Sequence, residues 1–355
     1  MLLEVAGGPT IEVAGDVAAA TWLHELLAAA LGPSAPGAPG WRLELRSSAE
    51  ELARWRGGRP ADAVERAMFS VEHESLAAPV WEAEGVHVVD DERRGCVVLL
   101  DGRSITIVGD PDRRRWRFTV ALLAYELIAL ALRPTWVELH AASVVVQGKA
   151  LLVSGPKGAG KTTLAMAMTR AGGGLLANDR TFVRAEAVVG LPTPVKLLPG
   201  AAALVPELAA EPIPHRGYLH TVAELPAVTR SLEPGEPMWL SPMEAVRRLR
   251  SPVAIGAHPI GAILLPEVDP GFDGLERTAV EPAAAAPLLL GNLYRTDAAS
   301  RTPTLIEALA GGAPPVPVDV LDEVAAAVPV ERVRLGRAAL AEPRLLDRLV
   351  GDRWT

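Results

Sequence analysis

Residues 151–164 read LLVSGPKGAGKTTL, an apolar run followed by glycines, a lysine and two threonines. The part from Gly155 to Thr162 matches G-x-x-x-x-G-K-[ST] at every fixed position, which is the signature of a phosphate-binding loop. Glycines let the backbone pass close to phosphate oxygens, and successive N–H groups and the N-terminus of the next helix can then bind them. The sequence therefore predicts a site for a nucleoside triphosphate such as ATP.

The residues on both sides of this loop predict the structural context that the motif requires. VELHAASVVV (137–146), a Gln147-Gly148 turn and KALLVSG (149–155) predict a β-hairpin whose second strand leads into the loop. TTLAMAMTRAG predicts a helix that ends at Gly172. The residues expected to contact the nucleotide are Gly155, Pro156, Lys157, Gly158, Ala159, Gly160, Lys161, Thr162 and Thr163.

An acidic residue follows the loop at a suitable place for chemistry. In GGGLLANDRTFV (172–183), two leucines and an alanine predict a short strand with Asp179 at its end. A carboxylate there can bind Mg²⁺ or take the proton from an attacking hydroxyl. Lys161 would contact the β- and γ-phosphates and Thr162 would bind the metal. The sequence thus predicts Thr162 and Asp179 as magnesium ligands, and Lys161 and Asp179 as catalytic residues.

The sequence lacks the second motif that two classes of phosphate-loop protein require. A switch GTPase needs Asn-Lys-x-Asp, and neither Asn178 nor Asn292 precedes a lysine. A transporter-type ATPase needs a glutamine loop and an LSGGQ-like signature, but Gln147, the single glutamine, precedes the phosphate loop. A motor-like ATPase stays open, because an arginine finger has no sequence signature of its own.

The segment LHAASVVVQGKALLVSGPKGAGKTTLAMAMTRAGGGLLANDRTFV resembles the catalytic domain of HPr kinase/phosphorylase, which is related to phosphoenolpyruvate carboxykinases. The matching elements are His140, the loop, the glycine-rich turn and the tripeptide Asn178-Asp179-Arg180, within residues 136–184. The resemblance implies an α/β (α+β) phosphate-loop kinase domain that transfers the γ-phosphoryl group of Mg-ATP to a hydroxyl, often that of a serine. It also implies that the catalytic His140 lies near the transfer site.

One position departs from that family. The family usually has Asp-Asp-Arg, and Asn178 replaces the first aspartate, which is associated with the general base. Asp179 then acts as the base, another carboxylate contributes, or catalysis has been lost. Positioning and charge stabilisation supply most of the rate of phosphoryl transfer, so we favour a kinase acting on a peptide, protein or small metabolite. A silent nucleotide-binding scaffold and a regulatory ATPase are the alternatives, and His140 fits a buried core histidine equally well.

Composition limits partners and location. The chain has 355 residues, 49% of them hydrophobic, and a net charge of −8 that argues against nucleic-acid or anionic-membrane binding. Cys96 is the single cysteine, so the chain has no internal disulfide. The N-terminus shows no basic-then-apolar leader pattern, and the apolar stretch 120–132 is short and contains Glu126. These features favour a cytoplasmic protein without membrane contact.

A domain boundary is expected near residue 110. Residues 1–110 predict a small α+β domain with a helix capped by Asp16, another capped by Ser48 and Glu51, and a strand meander at 86–89, 96–100 and 104–108. Residues 111–355 would form the kinase domain. We expect the first domain to recognise the acceptor or to contact another copy in a homo-oligomer.

Three further segments outside the loop contain candidate functional residues. PIPHRGYLH (212–220) predicts a long loop over the acceptor site that carries Arg216 and Tyr218. Lys196 either neutralises a phosphate or is simply exposed. MEAVRRLR (243–250) predicts a basic helical turn, one arginine of which could stabilise transferred charge.

Overall fold

The computed structural model describes residues 1–34, 40–71, 74–112, 116–185, 187–208, 238–269, 271–294, 304–309, 312 and 315–350. The chain is a mixed α/β protein with two large mixed sheets, as the sequence predicts at this level. The loop predicted at 212–220 lies outside the described residues. Within the described part, no helix has both the length and the apolar character needed to cross a membrane.

The strands are numbered in chain order. They are β1 (Leu2–Glu4), β2 (Thr10–Gly15), β3 (Trp41–Ser47), β4 (Val64–Val71), β5 (Glu74–Ala83), β6 (Val86–Asp91), β7 (Cys96–Asp101), β8 (Ser104–Gly109), β9 (Val137–Val146), β10 (Lys149–Ser154), β11 (Gly174–Ala177), β12 (Arg180–Arg184), β13 (Ala187–Leu191), β14 (Val195–Leu197), β15 (Met238–Leu240), β16 (Ile260–Val268), β17 (Leu275–Val280) and β18 (Val330–Leu335).

The helices are likewise numbered along the chain. They are α1 (Val17–Leu27), α2 (Ala49–Gly57), α3 (Trp116–Leu132), α4 (Lys161–Arg170), α5 (Pro199–Leu204), α6 (Pro242–Leu249), α7 (Pro282–Leu290), α8 (Leu305–Leu309), α9 (Val320–Ala327), α10 (Arg337–Ala341) and α11 (Leu345–Val350).

The chain forms two compact units. The first contains Met1–Glu25, Leu31–Pro134 and Asp297–Pro315, and the second contains Leu26–Ala30, Thr135–Thr296 and Val316–Thr355. This division differs from the boundary expected near residue 110, because the apolar helix α3 belongs to the first unit. Its Thr119 hydroxyl donates a hydrogen bond to the Asp91 carboxylate (2.6 Å). Helix α3 therefore completes the core of the unit that precedes it.

The first unit is built on a sheet with the order β1-β2-β3-β8-β7-β6-β5-β4. Strands β2, β3 and β8 are parallel, and β4 to β8 form an antiparallel meander whose last three strands match the prediction. The predicted caps are confirmed as well. The Asp16 carboxylate accepts a hydrogen bond from the N–H of Ala19 (2.9 Å), and the Ser48 hydroxyl accepts one from the N–H of Glu51 (3.1 Å).

The second unit is built on a sheet with the order β13-β12-β9-β10-β16-β18-β17, and β11 also pairs with β9. The predicted hairpin is present: β9 and β10 are antiparallel, and the turn has Gln147 and Gly148 at positive φ. Strands β10, β16 and β18 are parallel to one another. Ligands in open α/β sheets bind beyond the carboxyl ends of such strands, so a ligand site is expected at the end of β10.

Candidate functional site

The segment between β10 and α4 is a loop whose path requires glycine. Gly158 and Gly160 have φ of 89° and 99°, in the left-handed region that side chains disfavour. A Cβ on Gly160 would also lie 2.3 Å from Cγ2 of Val268 on β16. The loop therefore passes so close to the neighbouring parallel strand β16 that only glycine fits at position 160.

The N-terminus of α4 lacks a capping side chain. Gly160 is the N-cap residue and offers none, and the first turn of the helix contains no acidic residue. The first N–H groups of a helix have no intrahelical acceptor, and together with the helix dipole they attract an anion. This helix start has the chemistry of a phosphate site.

Lys161 lies inside the loop rather than in solvent. Its Nζ donates hydrogen bonds to the carbonyl oxygens of Gly155 (2.7 Å) and Pro156 (3.2 Å), and the residue is only 7% exposed. Burial lowers the pKa of Lys161, and the nearby charge of Asp179 opposes that shift. The structure thus brings an ammonium group to the centre of the loop, where the sequence predicts the phosphate contact.

The other predicted loop residues differ in accessibility. Lys157 is exposed, Thr162 is half-buried in the first turn of α4, and Thr163 is buried. Ser154, at the end of β10, has a buried hydroxyl with no hydrogen-bond partner in the described part of the chain. Thr162 is therefore the loop hydroxyl that remains accessible to a magnesium ion.

His140 and Asp179 meet across neighbouring strands. Asp179 follows the end of β11 and precedes β12, both of which pair with β9, the strand that carries His140. The His140 Nε2 and Asp179 Oδ1 atoms are 2.7 Å apart, and the side chains are 35% and 20% exposed. The N–H of Ala141 also donates to the Asp179 carbonyl (3.0 Å). His140 is therefore not a buried core histidine.

A second layer of polar residues supports this pair. Nε of Arg180 on β12 donates to the Glu138 carboxylate on β9 (2.6 Å). The Arg180 guanidinium carbon lies 4.5 Å from the centre of the Tyr294 ring, and that ring meets the His140 ring edge-on at 6.2 Å. Sequence reasoning missed Glu138 and Tyr294, because neither stands in a motif and Tyr294 is distant in the sequence.

Asn178, the residue before Asp179, is buried. It is 4% exposed, its Nδ2 donates a long hydrogen bond to the Pro194 carbonyl (3.5 Å), and its Oδ1 has no partner among the described residues. A charged carboxylate at this buried position would carry a large desolvation cost. The neutral amide therefore fits the position, and Asp179 is the accessible acid of the pair.

A pocket of about 520 Å³ adjoins the outer face of the loop. Its walls come from the loop, the ends of the parallel strands β16 and β18, the edge strand β17 and the segment after α7. The lining residues are Ser154, Gly155, Pro156, Gly158, Ala159, Leu265, Pro266, Glu267, Val268, Glu276, Thr278, Leu288, Asn292, Arg332, Val333 and Arg334. Its size is in the range of ligand-binding pockets.

A magnesium ion would need the nucleotide to complete its coordination. No group of three His, Cys, Asp or Glu side chains in the described ranges forms a metal site. The predicted ligands Thr162 and Asp179 supply two oxygen-bearing side chains, which suits Mg²⁺ because it commonly binds through one or two protein oxygens, phosphates and water. The residues therefore fit a magnesium ion that binds together with a nucleotide.

The structure also places the two other basic segments that the sequence offers as candidates. Lys196 is exposed on β14. On α6, Arg247 and Arg248 both donate to the Glu244 carboxylate, at 2.8 and 2.7 Å from Oε1. Burial alone would raise the pKa of Glu244, but the bonds from these arginines lower it overall. The basic turn thus neutralises its own carboxylate.

Comparisons with known proteins add no assignment to this geometry. No protein-family model matches the chain, and no curated protein matches it. The resemblance to HPr kinase-like enzymes over residues 136–184 therefore rests on the residues themselves. Distances, burial and charge are what support a function for this site.

Proposed function

We propose that this protein is a Mg-ATP-dependent kinase of the HPr kinase-like type, which transfers the γ-phosphoryl group to a hydroxyl of a peptide, protein or small metabolite. The observation that carries the proposal is the His140–Asp179 pair beside the glycine loop that holds Lys161. A phosphate site and an oriented acid occur at the same edge of one sheet, which is the minimum that phosphoryl transfer requires.

Each side chain has a distinct role in this proposal. The loop N–H groups, the start of α4 and Lys161 bind the phosphates and stabilise the charge on the transferred group. Thr162 would hold the magnesium, which when bound would supply positive charge against the negative charge that develops on the transferred group.

Asp179 acts on the acceptor. Its Oδ1 lies 2.7 Å from Nε2 of His140, which leaves Oδ2 to take the proton from the attacking hydroxyl or to bind the metal. The acceptor oxygen forms the new P–O bond as the bond from the γ-phosphorus to the bridging oxygen breaks, and ADP leaves. His140 keeps the carboxylate in position, which is its contribution to the step.

The buried Asn178 supports a second candidate, a nucleotide-binding scaffold without transfer. It replaces the acid that the resembling family uses, and its Oδ1 faces no partner among the described residues. Asp179 is accessible and oriented, however, so the kinase is the better-supported proposal.

The test compares ADP release from saturating Mg-ATP by the wild type, Asp179→Asn and the control Asp347→Asn. Asp347 is an exposed carboxylate on α11. General-base catalysis contributes about 100-fold or more, so turnover should fall by at least that factor in Asp179→Asn while nucleotide binding survives. Asp347→Asn should match the wild type. Tight binding with equal, near-zero turnover in all three proteins would leave either a kinase with an obligatory acceptor or the scaffold, and would favour the scaffold.

A further inference from the structure

The two ends of the pocket beside the loop are lined by different residues. At one end lies Asn292, whose carbonyl accepts a hydrogen bond from the N–H of His140 (2.8 Å). At the other end lie Arg332 on β18 and Thr278 on β17, which are opposite each other in the strand register. Strand β18 is three positions from β9 in the sheet, about 14 Å at the usual strand spacing. The two ends of a bound molecule would therefore meet different chemistry.

The charges in the pocket balance. Two arginines, Arg332 and Arg334, face two glutamates, Glu267 and Glu276, so the lining carries no net charge. A subsite for phosphate groups would be cationic, and the phosphate chemistry is already provided by the loop. This lining suits a neutral, polar group that offers hydroxyls to carboxylates and a flat face to a guanidinium.

The two arginines differ in their freedom to bind a ligand. Nη2 of Arg334 is held by the Asp269 carboxylate at 2.6 Å, and its guanidinium carbon lies 4.6 Å from the centre of the Phe272 ring. Arg332 is exposed, and its side chain makes no hydrogen bond or ion pair with another residue that the structure describes. Arg332 is thus the available guanidinium at the end of the pocket remote from His140.

We infer that this pocket binds the nucleoside part of the triphosphate, with Arg332 against the base and the carboxylates of Glu267 and Glu276 near the ribose hydroxyls. The inference rests on the proposed function, because it takes the transferred phosphoryl group to lie at the His140–Asp179 end. The nucleoside then occupies the opposite end, beyond the carboxyl ends of β10, β16 and β18, where ligands of parallel sheets bind.

The experiment separates the nucleoside from the phosphates. Dissociation constants are measured for Mg-ATP, Mg-GTP and Mg-tripolyphosphate with the wild type, Arg332→Ala and the control Arg337→Ala, which removes an exposed arginine outside the pocket. We expect Arg332→Ala to weaken the tighter nucleotide about tenfold and to leave tripolyphosphate unchanged. Arg337→Ala should change neither.

A second variant fills the pocket. Thr278 is exposed on the edge strand β17, so Thr278→Trp places a large ring in the pocket at a position with room for it. It should also weaken the nucleotide and spare tripolyphosphate. Equal affinity of the wild type for nucleotide and tripolyphosphate, or unchanged nucleotide affinity in both variants, would overturn the nucleoside site while leaving the loop intact. Failure of every triphosphate to bind the wild type would instead refute the proposed function, and this inference with it.

Discussion

Helices that follow a parallel strand begin differently in the two units. In the first unit, α1 follows β2 and α2 follows β3, and their first N–H groups are met by the side chains of Asp16 and Ser48. In the second unit, α4 follows β10, and its N-cap residue Gly160 has no side chain. The helix N-terminus after a parallel strand is therefore capped by a side chain at α1 and α2 and left uncapped at α4.

This difference separates structural helix starts from a functional one. A side chain at the N-cap satisfies donors that would otherwise need an outside partner, so a capped helix start is structural. An uncapped start with a buried lysine beside it leaves both N–H groups and positive charge for an anion. A missing cap alone does not mark the site, because α5, α7, α9 and α10 also begin without a side-chain cap. The buried Lys161 beside the open start is what distinguishes α4.

The largest expected effect comes from closing the open helix start. Gly160→Ala places a side chain at a φ of 99° and 2.3 Å from Val268, so the loop must move. Because the N–H groups would no longer converge, we expect affinity for Mg-ATP to fall by about 100-fold or more. Equilibrium binding measurements on the purified variant test this.

The control separates the clash from the backbone strain. Gly158 has a φ of 89° but open space around its Cα, so Gly158→Ala adds strain without a clash. Its loss of affinity should be smaller than that of Gly160→Ala. The double variant Gly160→Ala/Val268→Ala should recover part of the lost affinity. Wild-type affinity in Gly160→Ala would contradict the role assigned to this close approach.

Removing the loop ammonium should have the next largest effect. Lys161→Met keeps the length of the side chain but removes its charge, and a charge-assisted contact is worth about 1.5–3 kcal/mol, so we expect Mg-ATP to bind about 50-fold more weakly. Lys157→Met is the matched control, since that lysine is in the same loop and exposed. Equal losses in the two variants would show that general positive charge, rather than Lys161, binds the phosphates.

The difference in stability between the wild type and Lys161→Met should depend on pH. Burial lowers the pKa of Lys161 in the folded protein, whereas in the unfolded chain the pKa keeps its ordinary value of 10.5. At a pH between the folded and the unfolded pKa, the unfolded chain therefore binds more protons than the folded one. The wild type should therefore gain stability relative to Lys161→Met as the pH rises through that window. Urea denaturation of both proteins from pH 7 to pH 10.5 checks the sign. A gap that is constant with pH would contradict it.

What the sequence predicts well is what lies close together in the chain. The hairpin, the loop, α4 and the position of Asp179 after a short strand all lie within residues 137–183, and local patterns were sufficient for them. Arg332 joins the site only because β16 pairs with β10 and β18 pairs with β16, and Tyr294 joins it because its N–H donates to the Glu138 carbonyl on β9. The domain boundary differs from the expected one for a similar reason, since an apolar helix does not show which unit it packs against.

A smaller effect is expected for the histidine that orients Asp179. His140→Gln places an amide beside the carboxylate but alters the geometry of the contact, so turnover should fall about tenfold with little change in nucleotide affinity. The control is His87→Gln, because His87 also contacts a carboxylate, that of Glu82, at 3.4 Å. A loss as large as that of Asp179→Asn would mean that His140 itself acts on the substrate.

The smallest effect on nucleotide binding is expected from removing a cap at a helix start of the first unit. Ser48→Ala removes the hydroxyl that caps α2, and loss of such a cap typically costs about 1 kcal/mol. The urea midpoint should therefore fall while Mg-ATP affinity and turnover stay at wild-type values, whereas Gly160→Ala should mainly weaken binding. Ser48→Asp keeps an acceptor at the N-cap and should restore the midpoint. Should Ser48→Ala weaken nucleotide binding instead, the distinction between capped, structural helix starts and the open start of α4 would fail, because a cap in the first unit would then contribute to nucleotide binding.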